Sequence, residues 1–415
     1  MKVAYYSPLP PEHSGISDYS ALLLPALERL IDVEVAQRRR RRPRRVDVSL
    51  YHVGNDPEVH GWIIEALRRE RGPVVLHDFV LHHLIAGLTV ARGDTDGYLD
   101  AMFRDSGVLG RLMAHGVVDG LVPPLWETRA ERFPLTGEVL AYATGVIVHS
   151  RYVKELCRDK GFSGPIWQVP MPAWPKPSGL PDAGLPAGRG PVVGCFGYLT
   201  TTKRIPQLVE AFATLKREFP DALLVLAGRP TPGFALNPLL ERHKLRRDED
   251  VVELDYVDEP RLWSLMVASD ICVNLRWPTM GETSGTAIRA LSLGRPLIVS
   301  DIGWYGELPD QAVAKVAAGP TEIDELTAVL LRLANDRGLR ERLGAGGEAY
   351  VLKEHRLERV AEAYVVALEE SAGMERVRDE VLGEVSRAAS DVGLDPSSPE
   401  LREVGKALFE VGLGD

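Results

Sequence analysis

Short apolar runs and longer stretches with helical periodicity alternate along this chain, and they do so twice. In the first half, apolar runs at 3–7, 33–36, 48–53, 74–77, 146–149 and 166–169 predict strands. Between them, apolar residues recurring every three or four positions predict helices at 19–30 and 59–69 and a largely helical stretch reaching 143. Runs that are apolar throughout belong to parallel strands covered on both faces. At 170–191 the texture changes, because seven prolines and several glycines with little apolar periodicity mark a linker. A second alternation follows: strands at 192–196, 223–227, 251–254 and 271–274, with helices at 205–219 and near 238–243 and 260–268. A helix from about 357 to 370 and two further amphipathic helices over 372–415, broken at Asp395 and Pro396, complete the chain. This pattern predicts an α/β protein of two Rossmann-like, doubly wound domains. The first is 1–171, the linker 172–191, the second domain 192–350, and the C-terminal helices 351–415.

The thirty residues 278–307 carry the clearest chemistry. Thr283, Ser284, Gly285 and Thr286 put little bulk beside a backbone entering a helix, whose first N–H groups lack intrahelical partners and can face an anion. Ala287, Ile288, Ala290 and Leu291 repeat at helical spacing, Gly294 closes the helix, and Leu297 begins a short buried strand. Asp301 and Gly303 then sit at that strand's carboxyl end, where doubly wound sheets bind ligands.

Other loops fall at equivalent ends. Gly15, after the first strand, allows close backbone approach; His77 and Asp78 end the strand at 74–77; Asn55 follows the strand at 48–53. Gly197 lies in the turn that leads through Lys203 and Arg204 into a helix. His77, His82 and His83 lack the i, i+4 spacing of a helical metal site, so no metal is assigned. Asp94, Thr95 and Asp96 spell a metal-binding pattern but sit in a Gly-flanked polar stretch that reads as a turn.

Composition narrows the setting. At 415 residues the chain can hold two cores, and 45% hydrophobic with 26% charged residues is ordinary for a globular protein. Lys2 followed by Val3, Ala4, Tyr5 and Tyr6 reads as a core strand rather than a leader, and no apolar stretch is long enough to cross a bilayer. Cys157, Cys195 and Cys272 lack metal-type spacing and predict buried thiols in a reducing cytoplasm. A net charge of −10 argues against nucleic acid as a partner. Against that acidic average, Arg38, Arg39, Arg40, Arg41, Arg42, Arg44 and Arg45 crowd one loop. The loop is either a solvated connection or a contact for an anionic membrane surface or a phosphorylated acceptor.

The 278–307 segment resembles the nucleotide-sugar signature of the GT4 family of retaining glycosyltransferases, and the resemblance extends over nearly the whole chain to about Glu370. It implies the GT-B fold, two Rossmann-like domains facing each other across a cleft, with the helix at about 357–370 crossing back to the first domain. It implies a nucleotide-sugar donor, UDP- or GDP-linked, held as a substrate with no separate cofactor. The acceptor is a hydroxyl on a glycan, a lipid or a small metabolite. It also implies metal-independent transfer with retained configuration, assisted by the departing phosphate. By position, Lys203 matches the family's diphosphate-binding lysine, Tyr198 replaces its arginine, and Arg204 takes a glycine position. His77 matches the histidine that contacts the transferred sugar, and Glu282 the first signature glutamate, reached through a one-residue deletion. Gly15, Gly197, Arg204, Ser284, Gly285 and Thr286 fall on the donor side, where Lys203 and Arg204 would neutralise the leaving group, and Asn55 and Asp78 on the acceptor or sugar side. The second signature glutamate, which holds the ribose, is Arg289 here. Since Arg289 accepts no hydrogen bond, either it meets a phosphate or another acid, such as Glu307, holds the ribose. Two further readings remain open at this stage, a catalytically silent GT-B binding protein and a nucleotide-sugar 2-epimerase.

Overall fold

The computed structural model describes residues 1–12, 14–38, 43, 45–231, 233–395 and 398–410. Arg39, Arg40, Arg41, Arg42 and Arg44 of the arginine-rich loop lie outside the described residues. The chain divides into two compact units: one of 1–149, 153–169 and 361–415, the other of 150–152 and 170–360.

The first unit is built on six parallel strands, β1 (Lys2–Tyr6), β2 (Asp32–Val35), β3 (Val48–Val53), β4 (Gly72–Leu76), β5 (Ala143–Val148) and β6 (Ile166–Gln168), in the order β2-β1-β3-β4-β5-β6. β3 and β4 are buried along their whole length, as the uninterrupted apolar runs require. Gly72 sits where a Cβ would approach the Ser49 carbonyl oxygen to 2.3 Å, so neighbouring strands can close up only around a glycine. Strand order reverses between β1 and β3, which makes the carboxyl ends of those strands the crevice where such sheets hold ligands.

The second unit repeats the design with β7 (Val192–Phe196), β8 (Leu223–Ala227), β9 (Val251–Leu254), β10 (Ile271–Asn274), β11 (Leu297–Ser300) and β12 (Ala314–Val316), in the order β12-β11-β10-β7-β8-β9. Its switch point lies between β7 and β10, which pair through Cys272 and Gly194. A core that includes Phe212, Leu226, Val251, Ile298 and Leu330 packs helices Ile205–Glu218 and Glu322–Asn335 onto this sheet.

Three elements differ from the sequence expectation. Strand β12 was not foreseen, because three residues at a sheet edge leave almost no periodic signal. The helix at 357–370 does not stop there but runs unbroken as Leu357–Asp391, with Gly373 tolerated in its middle, so one helix stands where two were expected before Asp395. From Ala361 on it belongs to the first unit, tied by Tyr364 to Tyr19 (2.6 Å between hydroxyls) and by Glu370 accepting from Trp167 Nε1 at 2.6 Å. Finally, Asp94 is no turn residue: it caps helix Thr95–Val118, its Oδ1 accepting from Gly97 N at 2.9 Å. The three cysteines are free and buried, as the sequence predicts.

Candidate active site

The switch point of the second unit gathers the donor-side residues. β7 ends at Phe196, and Gly197 follows with φ +91°, a conformation that side-chain-bearing residues rarely adopt. The turn brings Lys203 back under the strand end, where Nζ donates to the Phe196 carbonyl at 2.7 Å. A Cβ on Gly197 would lie 2.5 Å from that Nζ. Gly197→Ala is therefore expected to push the ammonium aside and to weaken anion binding at least tenfold, read by calorimetric titration with a nucleoside diphosphate.

From the other side of the switch point, β10 delivers Asn274 and, two residues on, Arg276. Arg276 is the functional residue that the sequence reading missed. Its Nε lies 2.6 Å from Glu282 Oε1 as a close ion pair, without the alignment of a hydrogen bond. Its backbone N–H donates to Ser300 Oγ at 2.8 Å, and Nη2 reaches Tyr305 Oη at 3.3 Å. Glu282 is held in turn by Thr279 Oγ1 (3.0 Å) and Met280 N (2.7 Å). Burial disfavours the Arg276 charge, but Tyr305 and Glu282 outweigh it and raise its pKa. Lys203 moves the other way. Burial first, then the like charge of Arg276, lowers its pKa to about 8. One buried and one largely buried cation thus face one carboxylate, and such an excess of positive charge is stabilised by an incoming anion.

Directly beside them starts helix Gly285–Ser292, capped by Ser284, whose Oγ accepts from Ala287 N at 3.2 Å. Asn274 Nδ2 donates to Ser284 Oγ and Thr286 Oγ1, both at 2.9 Å, which fixes the first turn of the helix against β10. A Cβ on Gly197 would come within 4.0 Å of Thr286 Cγ2, so the two loops meet. Gly197, Lys203, Glu282, Ser284 and Thr286 therefore assemble from separate loops into one place.

Three of the expected donor contacts are spent elsewhere. Arg204 does not reach into this site: its Nε donates to both carboxylate oxygens of buried Glu322, at 3.0 and 2.9 Å. It adopts φ +58°, the left-handed conformation natural to the glycine that the resemblance places here. Arg289 lies 3.8 Å below the ring of Trp174 and pairs with Glu259 at 3.1 Å, a stacked and buried guanidinium. Gly285 makes room for that stack, its Cβ position being 3.1 Å from Trp174 and 3.3 Å from Arg289. Glu307 accepts the backbone N–H groups of Arg151 (3.0 Å) and Tyr152 (2.6 Å), so its carboxylate acts as a backbone clamp.

In the first unit, His77 stands at the end of β4 among buried rings. Its Nε2 is 3.0 Å from His52 Nδ1, and Tyr19 meets it edge-on at 4.8 Å. Burial, then His149 and His52, pushes its pKa well below the usual imidazole range. Asp78 Oδ2 accepts from Asn55 N at 3.1 Å, while Asn55 Oδ1 accepts from Leu84 N at 3.0 Å. Asn55 and Asp78 are thus brought together and brace the start of helix His82–Leu88. At Gly15 a Cβ would meet nothing, which leaves open space in front of the first loop.

Residues 182–350 match the family model of the glycosyl transferases group 1. Over 147 residues the chain is 26% identical to the glycogen synthase of Mycobacterium tuberculosis, a match covering 35% of this chain and 34% of that protein. The match thus spans about a third of the length of the curated relatives. Among solved structures, sucrose-phosphate synthase from Thermosynechococcus elongatus is similar with a TM-score of 0.58 at 17% identity, covering 92% of this chain and 100% of that one. WaaG, a glycosyltransferase involved in lipopolysaccharide biosynthesis, gives 0.57 at 13%, covering 89% and 99%. HepE of Anabaena, in complex with UDP and glucose, gives 0.53 at 14%, covering 89% and 100%. At such identities the likeness establishes the fold, and the fold is GT-B. No helix among the described residues is long and apolar enough to cross a membrane.

Proposed function

We propose that this chain is a GT4-type retaining glycosyltransferase that moves a sugar from a UDP- or GDP-sugar to an acceptor hydroxyl without a metal ion. The observation that carries the reading is the pair of cations, buried Lys203 and largely buried Arg276, facing the single carboxylate of Glu282 beside a capped helix start. That arrangement suits a diphosphate, whose negative charge grows as the glycosidic bond breaks. Arg276 supplies the positive charge that Tyr198, 59% exposed, no longer offers. Glu282, held by Thr279 and Met280, is the acceptor for sugar hydroxyls, and His77 of the first unit serves the sugar side. The acceptor hydroxyl attacks the anomeric carbon, and the leaving phosphate takes its proton. The solved complex of HepE with UDP and glucose supports a nucleotide sugar as the donor class. The reaction runs in the cytoplasm, with a glycan, lipid or small metabolite as acceptor.

Lys203 sets a pH dependence. Its pKa of about 8 lies below the ordinary lysine value, so the ammonium is fully present below about pH 7 and is lost as pH rises through 8. A bound diphosphate raises that pKa. Binding should therefore take up a proton near pH 8 and weaken above it, a shift seen as buffer-dependent heat in titration calorimetry.

The testing experiment is incubation with a panel of UDP-, GDP-, ADP- and TDP-sugars in the presence of a chelator, followed by mass spectrometry and NMR of the anomeric product. Slow consumption of one donor, with retained configuration, is expected. Binding without turnover would favour a silent nucleotide-binding protein, a reading to which the replacement of the ribose-side glutamate by the stacked Arg289 lends weight. Isomerisation of the free donor would indicate an epimerase.

A further inference from the structure

His77 is one of several buried rings, and the ring it shares a hydrogen bond with has no role so far. His52, on β3, is fully buried, while His77 keeps 7% of its surface exposed. The rings lie nearly parallel, 5.3 Å between centroids, with His52 Nδ1 3.0 Å from His77 Nε2. One of these nitrogens must donate to the other. We propose that His52 is a positioning residue that fixes His77 in the Nδ1–H tautomer, so that His77 offers a ligand oxygen a hydrogen-bond donor and not a base.

The argument is an accounting of protons. His52 Nε2 is buried and has no hydrogen-bond partner among the described residues. If His77 Nε2 carried the proton, His52 Nδ1 would have to accept it, and a neutral His52 would then hold its own proton on Nε2, as an orphaned buried N–H. If His52 Nδ1 donates instead, its Nε2 is left with only a lone pair. Orphaned buried N–H groups are rarer than under-used acceptors, because a stranded donor loses its full hydration. His52 therefore donates, His77 Nε2 accepts, and the His77 proton resides on Nδ1. The surroundings hold both rings in place: the His52 carbonyl lies 3.2 Å from His60 Nδ1, and Tyr19 stands edge-on to His77. Burial, then the neighbouring His149, keeps both imidazoles neutral, so the tautomer question is well posed.

The identity of the ligand oxygen, on a sugar or a phosphate, rests on the transferase reading. The tautomer does not. The test is a long-range nitrogen–proton correlation spectrum of the full chain labelled with nitrogen-15, with His77 assigned through His77→Gln. The expected wild-type pattern is a protonated Nδ1 and a bare Nε2 on His77. His52→Asn, which keeps an amide N–H near the original Nδ1, should preserve the pattern, and His52→Phe should release His77 toward the Nε2–H form. Donor turnover should fall about tenfold in kcat in His52→Phe, with KM little changed, and recover in His52→Asn. A wild-type His77 protonated on Nε2 overturns the proposal. So does wild-type turnover in a folded His52→Phe protein. Absence of any turnover in the wild type would remove the transferase reading and leave the tautomer to be decided by the spectra.

Discussion

Replacing Lys203 by Ala is expected to slow turnover of the sugar donor by about a hundredfold to a thousandfold, corresponding to roughly 3–4 kcal/mol of lost charge stabilisation in the transition state. The magnitude follows from where the ammonium sits. Lys203 is 9% exposed, its Nζ is anchored on the Phe196 carbonyl, and a glycine at 197 leaves the space in front of it free. A cation fixed before the ligand arrives pays little reorganisation when charge develops on the leaving group, and poor hydration strengthens each contact. Arg276 remains in the variant, so the loss should fall short of complete inactivity. Single-turnover kinetics with saturating donor isolates this step. Circular dichroism is expected to show a folded variant, because truncating the side chain removes an ammonium that burial disfavours.

The second large effect concerns stability. Glu322 is 1% exposed and its carboxylate accepts from the Arg204 guanidinium. Glu322→Ala would strand Arg204, whose backbone already sits at φ +58°. Breaking such a pair from one side costs about 3–5 kcal/mol, and the lower end applies because Arg204 retains 20% of its side chain in water. A fall in the melting temperature of roughly 10 °C is expected, read by thermal denaturation. The double variant Arg204→Gly with Glu322→Gln should recover most of that loss. Both charges are then gone, and glycine adopts the left-handed conformation freely. A single Glu322→Ala variant that melts like the wild type would show that the pair contributes nothing.

The sequence made the sheets legible because parallel strands buried on both faces read as plain apolar runs; β3, β7 and β8 fall where those runs lie. It also placed a helix start among Thr283, Ser284, Gly285 and Thr286, where the structure has Ser284 as the cap. What it could not show was which charged groups are already spent. Arg204 and Arg289 looked like free cations beside a phosphate, yet one is bound to Glu322, 118 residues away, and the other is stacked on Trp174. Neither partner lies near in sequence, and a long-range ion pair has no periodic signature. Arg276 was missed for the converse reason, because it stands alone two residues past a short strand. Its position was nevertheless a usable signal, since residues just past the carboxyl ends of parallel strands at a switch point face the ligand. The helix Leu357–Asp391 runs on past the end near 370 that the sequence reading gave it, and the glycines beyond that point each cost only about 1 kcal/mol within a long helix.

The central claim is that the excess positive charge at the carboxyl ends of β7 and β10 holds a nucleotide's diphosphate. Calorimetric titration of the wild-type protein with UDP and GDP, beside uridine and guanosine, tests it most directly. One diphosphate should bind at least a hundredfold more tightly than its nucleoside, taking up a proton near pH 8, with both features lost in Lys203→Ala. Equal affinity for nucleoside and diphosphate, or a diphosphate affinity untouched by Lys203→Ala, would contradict the assignment.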